Sequence, residues 1–359
     1  MNIAALLPHV EVFGGVRRYI EVGNALVRRG HRFVLYTPVG DKPDWLGFRG
    51  EIKAFAALRS EEFDVGLCGE YSILPRFESL RARAKFFYFV LEGHKEERTV
   101  ARSGYHYLGC SEGICRRIER KYHVPCFRAP GGINREIFYP LARPRASESG
   151  PNGRTEDQPA SSRARLGREF KVLCYGRIYK KRKGVRQVIK AVERLHRKGF
   201  PLRLILFDSL VGQDKKDPRP LIRTPVPHDF HINLPQDRMA WLFSQADAYV
   251  GAERRAGWAN TAAEAMACRL PVVCTTSGSR DFAIPNQTAL VVPFPHPLLL
   301  ARQIRRLIED PDLRERLAAA GYGKIGEFTW DALAARLEAI FQNVLALEAR
   351  SQLARASVN

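Results

Sequence analysis

Two stretches of this 359-residue chain carry residue types suited to holding a phosphate-bearing ligand. In the first, "AERRAGWANTAAEAMACRLPVVCT" (252 to 275), a run of small residues with one acid in it separates two apolar segments that read as strands. Asn260 is suited to cap a helix beginning at Thr261, and that helix start would present unpaired N–H groups and partial positive charge. Small residues at Gly257, Ala259, Ala262 and Ala263 would let a ligand approach the backbone. Each dipole contact contributes only about 0.3–1 kcal/mol, so a diphosphate also needs side-chain cations. Glu264, expected in the first turn of that helix, would repel phosphate and suits hydrogen bonds from sugar hydroxyls. The plainer alternative is a dipole-favouring acid on a packed helix.

The second stretch, "GRIYKKRKG" (176 to 184), supplies Arg177 and Lys183 from a loop expected at the same sheet edge. Arginine grips phosphate oxygens in pairs and lysine acts as a compact charge, a combination suited to a nucleotide's diphosphate. Taken alone it could be a solvated basic loop. Both stretches at one edge of one sheet favour a ligand site, because ligands of open parallel sheets sit past the carboxyl ends of the strands.

The elements that must position these residues follow from periodicity. From residue 2 onward, short apolar runs alternate with amphipathic stretches: "NIAALL", then "VRRYIEVGNALVRRG", then "RFVLY", with Gly30 suited to the left-handed end of the first helix. Further strands are expected at 64–68, 86–90 and 107–111, with Ser111 placed to cap a helix, and the alternation restarts at "KVLCYG" (171–176). The pattern gives an α/β protein with mostly parallel sheets. The expected domains are 1–140, a polar linker or loop at 141–168, 169–328, and a closing helix in 329–359 with Leu333, Leu337, Ile340, Phe341 and Val344 on one face.

Composition bounds the partners. Lys plus Arg exceed Asp plus Glu by 58 to 38, a formal charge of +20 spread along the chain. Such a surface attracts anions: phosphorylated substrates or an anionic membrane face, with nucleic acid disfavoured because Tyr179 is the sole aromatic in the densest basic segment. No apolar run approaches the roughly 18 residues that a membrane span needs. "MNIAALLPHV" reads as a first strand rather than a cleavable leader. Seven cysteines without metal-ligand spacing point to free thiols in a reducing cytoplasm.

With these motifs in place, the chain resembles the retaining glycosyltransferases of family 4, which have the GT-B architecture of two Rossmann-like domains facing an interdomain cleft. The carrying residues are "FGGVRRYI" (13–20), "GRIYKKRKGV" (176–185), "AGWANTAAEAMACRLPVV" (256–273) and "DFAIPNQTALVVP" (281–293). The resemblance implies transfer of a sugar from a UDP- or GDP-sugar to a glycan, lipid-linked or other cell-envelope acceptor, as in polysaccharide biosynthesis. It implies an N-terminal acceptor domain, a C-terminal donor domain, and a cytoplasmic enzyme that can sit at the inner membrane face. Arg177 and Lys183 would bind the donor pyrophosphate and Glu264 the ribose. Backbone amides near Trp258 and Ala259 would meet phosphate or sugar, and His94, beyond the strand at 86–90, would lie near the transferred sugar. Gly14 and Gly15, between the first strand and its helix, suit a close phosphate or acceptor contact. No cofactor and no metal are expected, since no acidic pair such as DxD stands at a strand end.

Two positions depart from the family pattern. The first of two acids normally spaced by seven residues falls on Ala256, so Glu253 is considered as its stand-in, reaching inward or pairing with Arg254 or Arg255. Arg269 replaces the glycine usual after "EAMAC", which suggests a different helix end. Two alternatives stay open: a nucleotide-sugar epimerase on the same fold, and a basic binding protein without catalysis.

Overall fold

The computed structural model describes residues 1–141, 168–211 and 215–356. Apart from its two end residues, the stretch expected as a linker, 141–168, lies outside the described residues. The chain folds around two fully parallel sheets. The first holds β1 (Asn2–Leu6), β2 (Arg32–Thr37), β3 (Glu51–Ala54), β4 (Phe63–Cys68), β5 (Ala82–Phe89), β6 (His106–Gly109) and β7 (Phe127–Arg128). Its spatial order is β3-β2-β1-β4-β5-β6-β7. The helices of this part are α1 (Gly14–Arg28), α2 (Leu74–Ser79), α3 (Glu97–Val100) and α4 (Glu112–Tyr122).

The second sheet holds β8 (Phe170–Tyr175), β9 (Leu202–Asp208), β10 (His228–Ile232), β11 (Ala248–Val250), β12 (Val272–Thr275) and β13 (Leu290–Val292), in the order β10-β9-β8-β11-β12-β13. With it go α5 (Val185–His196), α6 (Met239–Ser244), α7 (Asn260–Ala267), α8 (Pro297–Glu309), α9 (Pro311–Ile325) and α10 (Trp330–Ala356). β1 and β8 are the central first strands of their sheets, flanked in register by β2 and β4, and by β9 and β11. Neighbours on both edges and helices on both faces explain why their sequences are mostly apolar.

Local signals set the helix ends. Ser111 Oγ accepts from the Ile114 amide at 3.3 Å and caps α4, and Gly30 takes φ +85° just past α1. At the end of α7, Arg269 adopts the left-handed conformation (φ +55°), with its amide donating to Met266 O and that of Leu270 to Ala265 O. The expectation of a different helix end is therefore corrected. The ending is glycine-like, and the Arg269 guanidinium lies 2.5 Å from a Glu315 carboxylate oxygen.

α10 returns to the first domain. Leu333, Leu337, Phe341 and Val344 are buried, Ile340 less so, and the Phe341 ring lies 4.8 Å from that of Phe86 on β5. Arg28 and Arg29 at the end of α1 form ion pairs with Asp331 and Glu338 on α10.

Candidate active site in the interdomain cleft

The carboxyl ends of both sheets face one cavity of about 450 Å³ lined by both domains. It collects Gly14, Gly15, Arg177, Lys183, Trp258, Asn260, Thr261 and Glu264 from the sequence-expected set. His94, Glu253, Gly257 and Ala259 are not among its lining residues.

Arg177 and Lys183 flank the loop after β8. The Arg177 Nε donates to Asp208 Oδ1 at 3.0 Å, an Nη to Ser209 O, and the guanidinium lies 5.6 Å from the Phe13 ring of the other domain. Burial raises the Asp208 carboxyl above its ordinary range, against the pull of Arg177. Lys183 pairs with Glu253, and its ammonium lies 5.2 Å from the Tyr175 ring centroid. Glu253 therefore turns toward neither arginine proposed as its partner. It is buried against Lys183, and its Oε2 has no hydrogen-bond partner.

The start of α7 differs from the expectation in two respects. The cap position is Ala259, and Asn260 is the first helical residue. The Asn260 side chain reaches the first domain, where a Cβ on Gly14 would stand 2.3 Å from its Nδ2. The Ala259 amide is already engaged by Gly278 O at 2.8 Å, and that of Asn260 by Trp258 O at 3.1 Å. The helix-start donors without an acceptor among the described residues are thus the amides of Thr261 and Ala262. Thr261 Oγ1 shares a 2.6 Å hydrogen bond with the Tyr249 hydroxyl. Glu264 lies in the second turn, not the first, and is buried. Burial raises its carboxyl pKa, with Arg17 and Lys183 opposing and Glu253 adding to the rise.

Gly257 is small for a reason unrelated to phosphate. A Cβ there would lie 2.1 Å from Val90 O and 2.5 Å from Cys110 Sγ, both in the first domain. Beside it, Ala256 forms an antiparallel bridge with Leu91, and the Cβ position of Gly278 is 3.0 Å from the Ala256 Cβ. An acid at position 256 would have to fit into this seam between domains, so the departure at Ala256 matches its packing. Trp258 packs its ring on Phe282 and Phe328 at 4.9 and 5.3 Å.

His94 is exposed and stacks on Tyr71, with centroids 3.9 Å apart and planes 9° from parallel. A histidine that does line the cavity is His9, 5.0 Å from the Phe13 ring, its Nδ1 accepting from the Glu11 amide. Sequence reasoning missed it, although its place just past β1 is where the strand-end rule puts ligands. It also missed Arg17 and Arg18. Arg18 is buried and donates to the Tyr88 hydroxyl at 2.6 Å and to Pro130 O at 3.2 Å.

Two doubly wound sheets with a cleft between their carboxyl ends define the GT-B class of fold. Sucrose-phosphate synthase from Thermosynechococcus elongatus superposes with a TM-score of 0.75 at 18% identity, covering 96% of this chain and 99% of its own. Anabaena Alr3699/HepE, in complex with UDP and glucose, gives a TM-score of 0.67 at 13% identity, covering 96% and 99%. Residues 157–324, just under half of the chain, match the family model of glycosyl transferases group 1. The capsular polysaccharide biosynthesis glycosyltransferase CapM of Staphylococcus aureus is 26% identical over 183 residues, 50% of this chain and 48% of CapM. A D-inositol 3-phosphate glycosyltransferase of Arthrobacter is 29% identical over 218 residues, 58% of this chain and 47% of the relative. The chain spans about half the length of the curated relatives it matches.

Proposed function

We propose that this protein is a retaining glycosyltransferase that moves a sugar from a UDP- or GDP-sugar to a glycan or lipid-linked acceptor of the cell envelope. One observation carries the proposal: Arg177, Lys183, Glu264 and the start of α7 line a single cavity between the domains. As the bond to the anomeric carbon breaks, the nucleoside diphosphate gains negative charge, and fixed cations and amide donors stabilise that charge most where water is excluded. Arg177, Lys183 and the amides of Thr261 and Ala262 take that role. Glu264 accepts hydrogen bonds from the ribose. The acceptor enters from the side of Gly14 and Gly15, and attack on the same face as the leaving group retains the anomeric configuration. The names of CapM and of the D-inositol 3-phosphate enzymes support an acceptor built on sugars or phosphorylated polyols.

Calorimetric titration with UDP and GDP, followed by a transfer assay with the matching nucleotide sugars, tests the proposal. Lys183→Ala and Glu264→Ala variants that transfer sugar at the wild-type rate would count decisively against it, and NMR of the product's anomeric proton reports retention. Activity is expected to survive chelation of divalent ions. No described helix is long and apolar enough to cross a membrane. The charge of +20 supports docking on an anionic surface, so sedimentation with phosphatidylglycerol vesicles should exceed that with neutral ones.

A further inference from the structure

Of the second domain's cations that line the cleft, Arg177 is neutralised by Asp208 and Lys183 by Glu253, both acids buried. These two cations offer hydrogen bonds to a diphosphate but little net charge, and drawing either away would strand a buried carboxylate. Arg17, in the first turn of α1, stands differently. It lines the same cavity, donates from one Nη to the neutral side-chain oxygen of Gln236 across the cleft, and has no carboxylate oxygen within 4.0 Å among the described residues. Its other terminal nitrogen, Nη1, is buried with no hydrogen-bond partner. The guanidinium sits between the rings of Trp45 and Phe138, at 5.4 and 5.5 Å from their centroids, which limits its freedom and keeps water from it. Its field reaches Glu264, which the Lys183 charge also touches, so both cations bear on the same part of the cavity.

We propose that Arg17 is a third phosphate-binding cation, reaching from the first domain across the cleft to the diphosphate of the donor and exchanging Gln236 for phosphate oxygens. The inference rests on the donor site proposed above. Gln236 is a partner that can be given up cheaply, because parting from a neutral amide leaves no unpaired charge behind. Binding would then draw the two domains together through the ligand, with Arg17 supplying the net charge that the paired cations do not.

Affinities for UDP, GDP, uridine and guanosine, measured by calorimetry or by competition, test this in the wild type and in Arg17→Gln and Arg17→Lys variants. Arg17→Gln should weaken the preferred diphosphate by roughly 10- to 100-fold and leave the nucleoside unchanged. Arg17→Lys, which keeps the charge and the fold but loses the planar fork, should show a partial loss. A folded Arg17→Gln protein that binds the diphosphate within twofold of wild type overturns the inference, as does an equal loss for nucleoside and diphosphate. Should Arg17→Gln fail to fold, wild-type affinity in Arg17→Lys overturns it. If the wild type binds neither UDP nor GDP, the donor site itself fails, an outcome distinct from equal binding by wild type and variants.

Discussion

In each domain the central first strand, β1 or β8, runs into a loop that faces the cleft and then into a helix, α1 or α5. The loop after β1 leads to two glycines and Arg17, a cation held by a neutral partner and two aromatic rings. The loop after β8 carries Arg177 and Lys183, both held by buried acids, and closes on Gly184. A repeated strand order thus delivers cations in two states: Arg177 and Lys183 bound to buried acids on one wall, Arg17 held by a neutral amide on the other. The glycines differ as well. Gly184 has φ +66°, and a Cβ there would stand 1.9 Å from the Ala252 carbonyl oxygen, whereas Gly14 faces the end of a flexible asparagine in the opposite domain.

The largest effect should therefore come from Gly184→Ala, which combines a left-handed backbone with a clash against main chain. A loss of about 2–5 kcal/mol is expected in denaturant unfolding, and a loss below about 1 kcal/mol would show that the loop can rearrange. Next comes Lys183→Met, which leaves Glu253 buried and unpaired at a cost of about 2–4 kcal/mol, set at the lower end because the lysine is partly exposed. Adding Glu253→Gln should restore most of that stability without restoring nucleotide binding. A double variant no more stable than the single one would mean that the pair is not coupled.

Glu264→Gln separates folding from binding by pH. Because burial raises the folded carboxyl pKa, the ionised form is disfavoured by folding. The penalty is absent below the ordinary glutamate pKa of about 4.5, grows as pH climbs toward the raised folded value and is constant above it. The Gln variant should thus melt modestly higher than wild type at neutral pH, with the gap closing in acid. A gap independent of pH would contradict the assignment. Gly14→Ala should have the smallest effect, below about 1 kcal/mol in stability, because the Asn260 side chain can swing aside. Its effect should appear in substrate affinity, and unchanged transfer kinetics would remove Gly14 from the site.

The same contrast explains what the sequence disclosed. The β/α alternation, the central strands and the Ser111 cap were legible because local pattern decides them. β10, "HDFHI", was hidden inside an expected polar loop: it is an edge strand, only half covered, so its charged and histidine residues mask the apolar run. β3, an edge strand of the first sheet, carries "EIKA" and is hidden for the same reason. At the site, Arg177, Lys183 and Glu264 were legible from residue type and position past strand ends. Their partners Asp208 and Glu253 were not, since pairing across 31 and 70 residues depends on tertiary placement. Gly257 shows the limit most directly. The sequence says that something comes close to it, but not that the something is the other domain.

The return of α10 to the first domain ties the order of synthesis to the order of assembly. The outer side of Phe86 emerges from the ribosome some 255 residues before Phe341, the ring that covers it. At ordinary elongation rates of about 5–20 residues per second, this leaves a gap of roughly 13 to 50 s. The domain made first is thus finished only by a helix made after the second, and a nascent chain stalled before residue 330 would display a bare aromatic surface for chaperones to recognise.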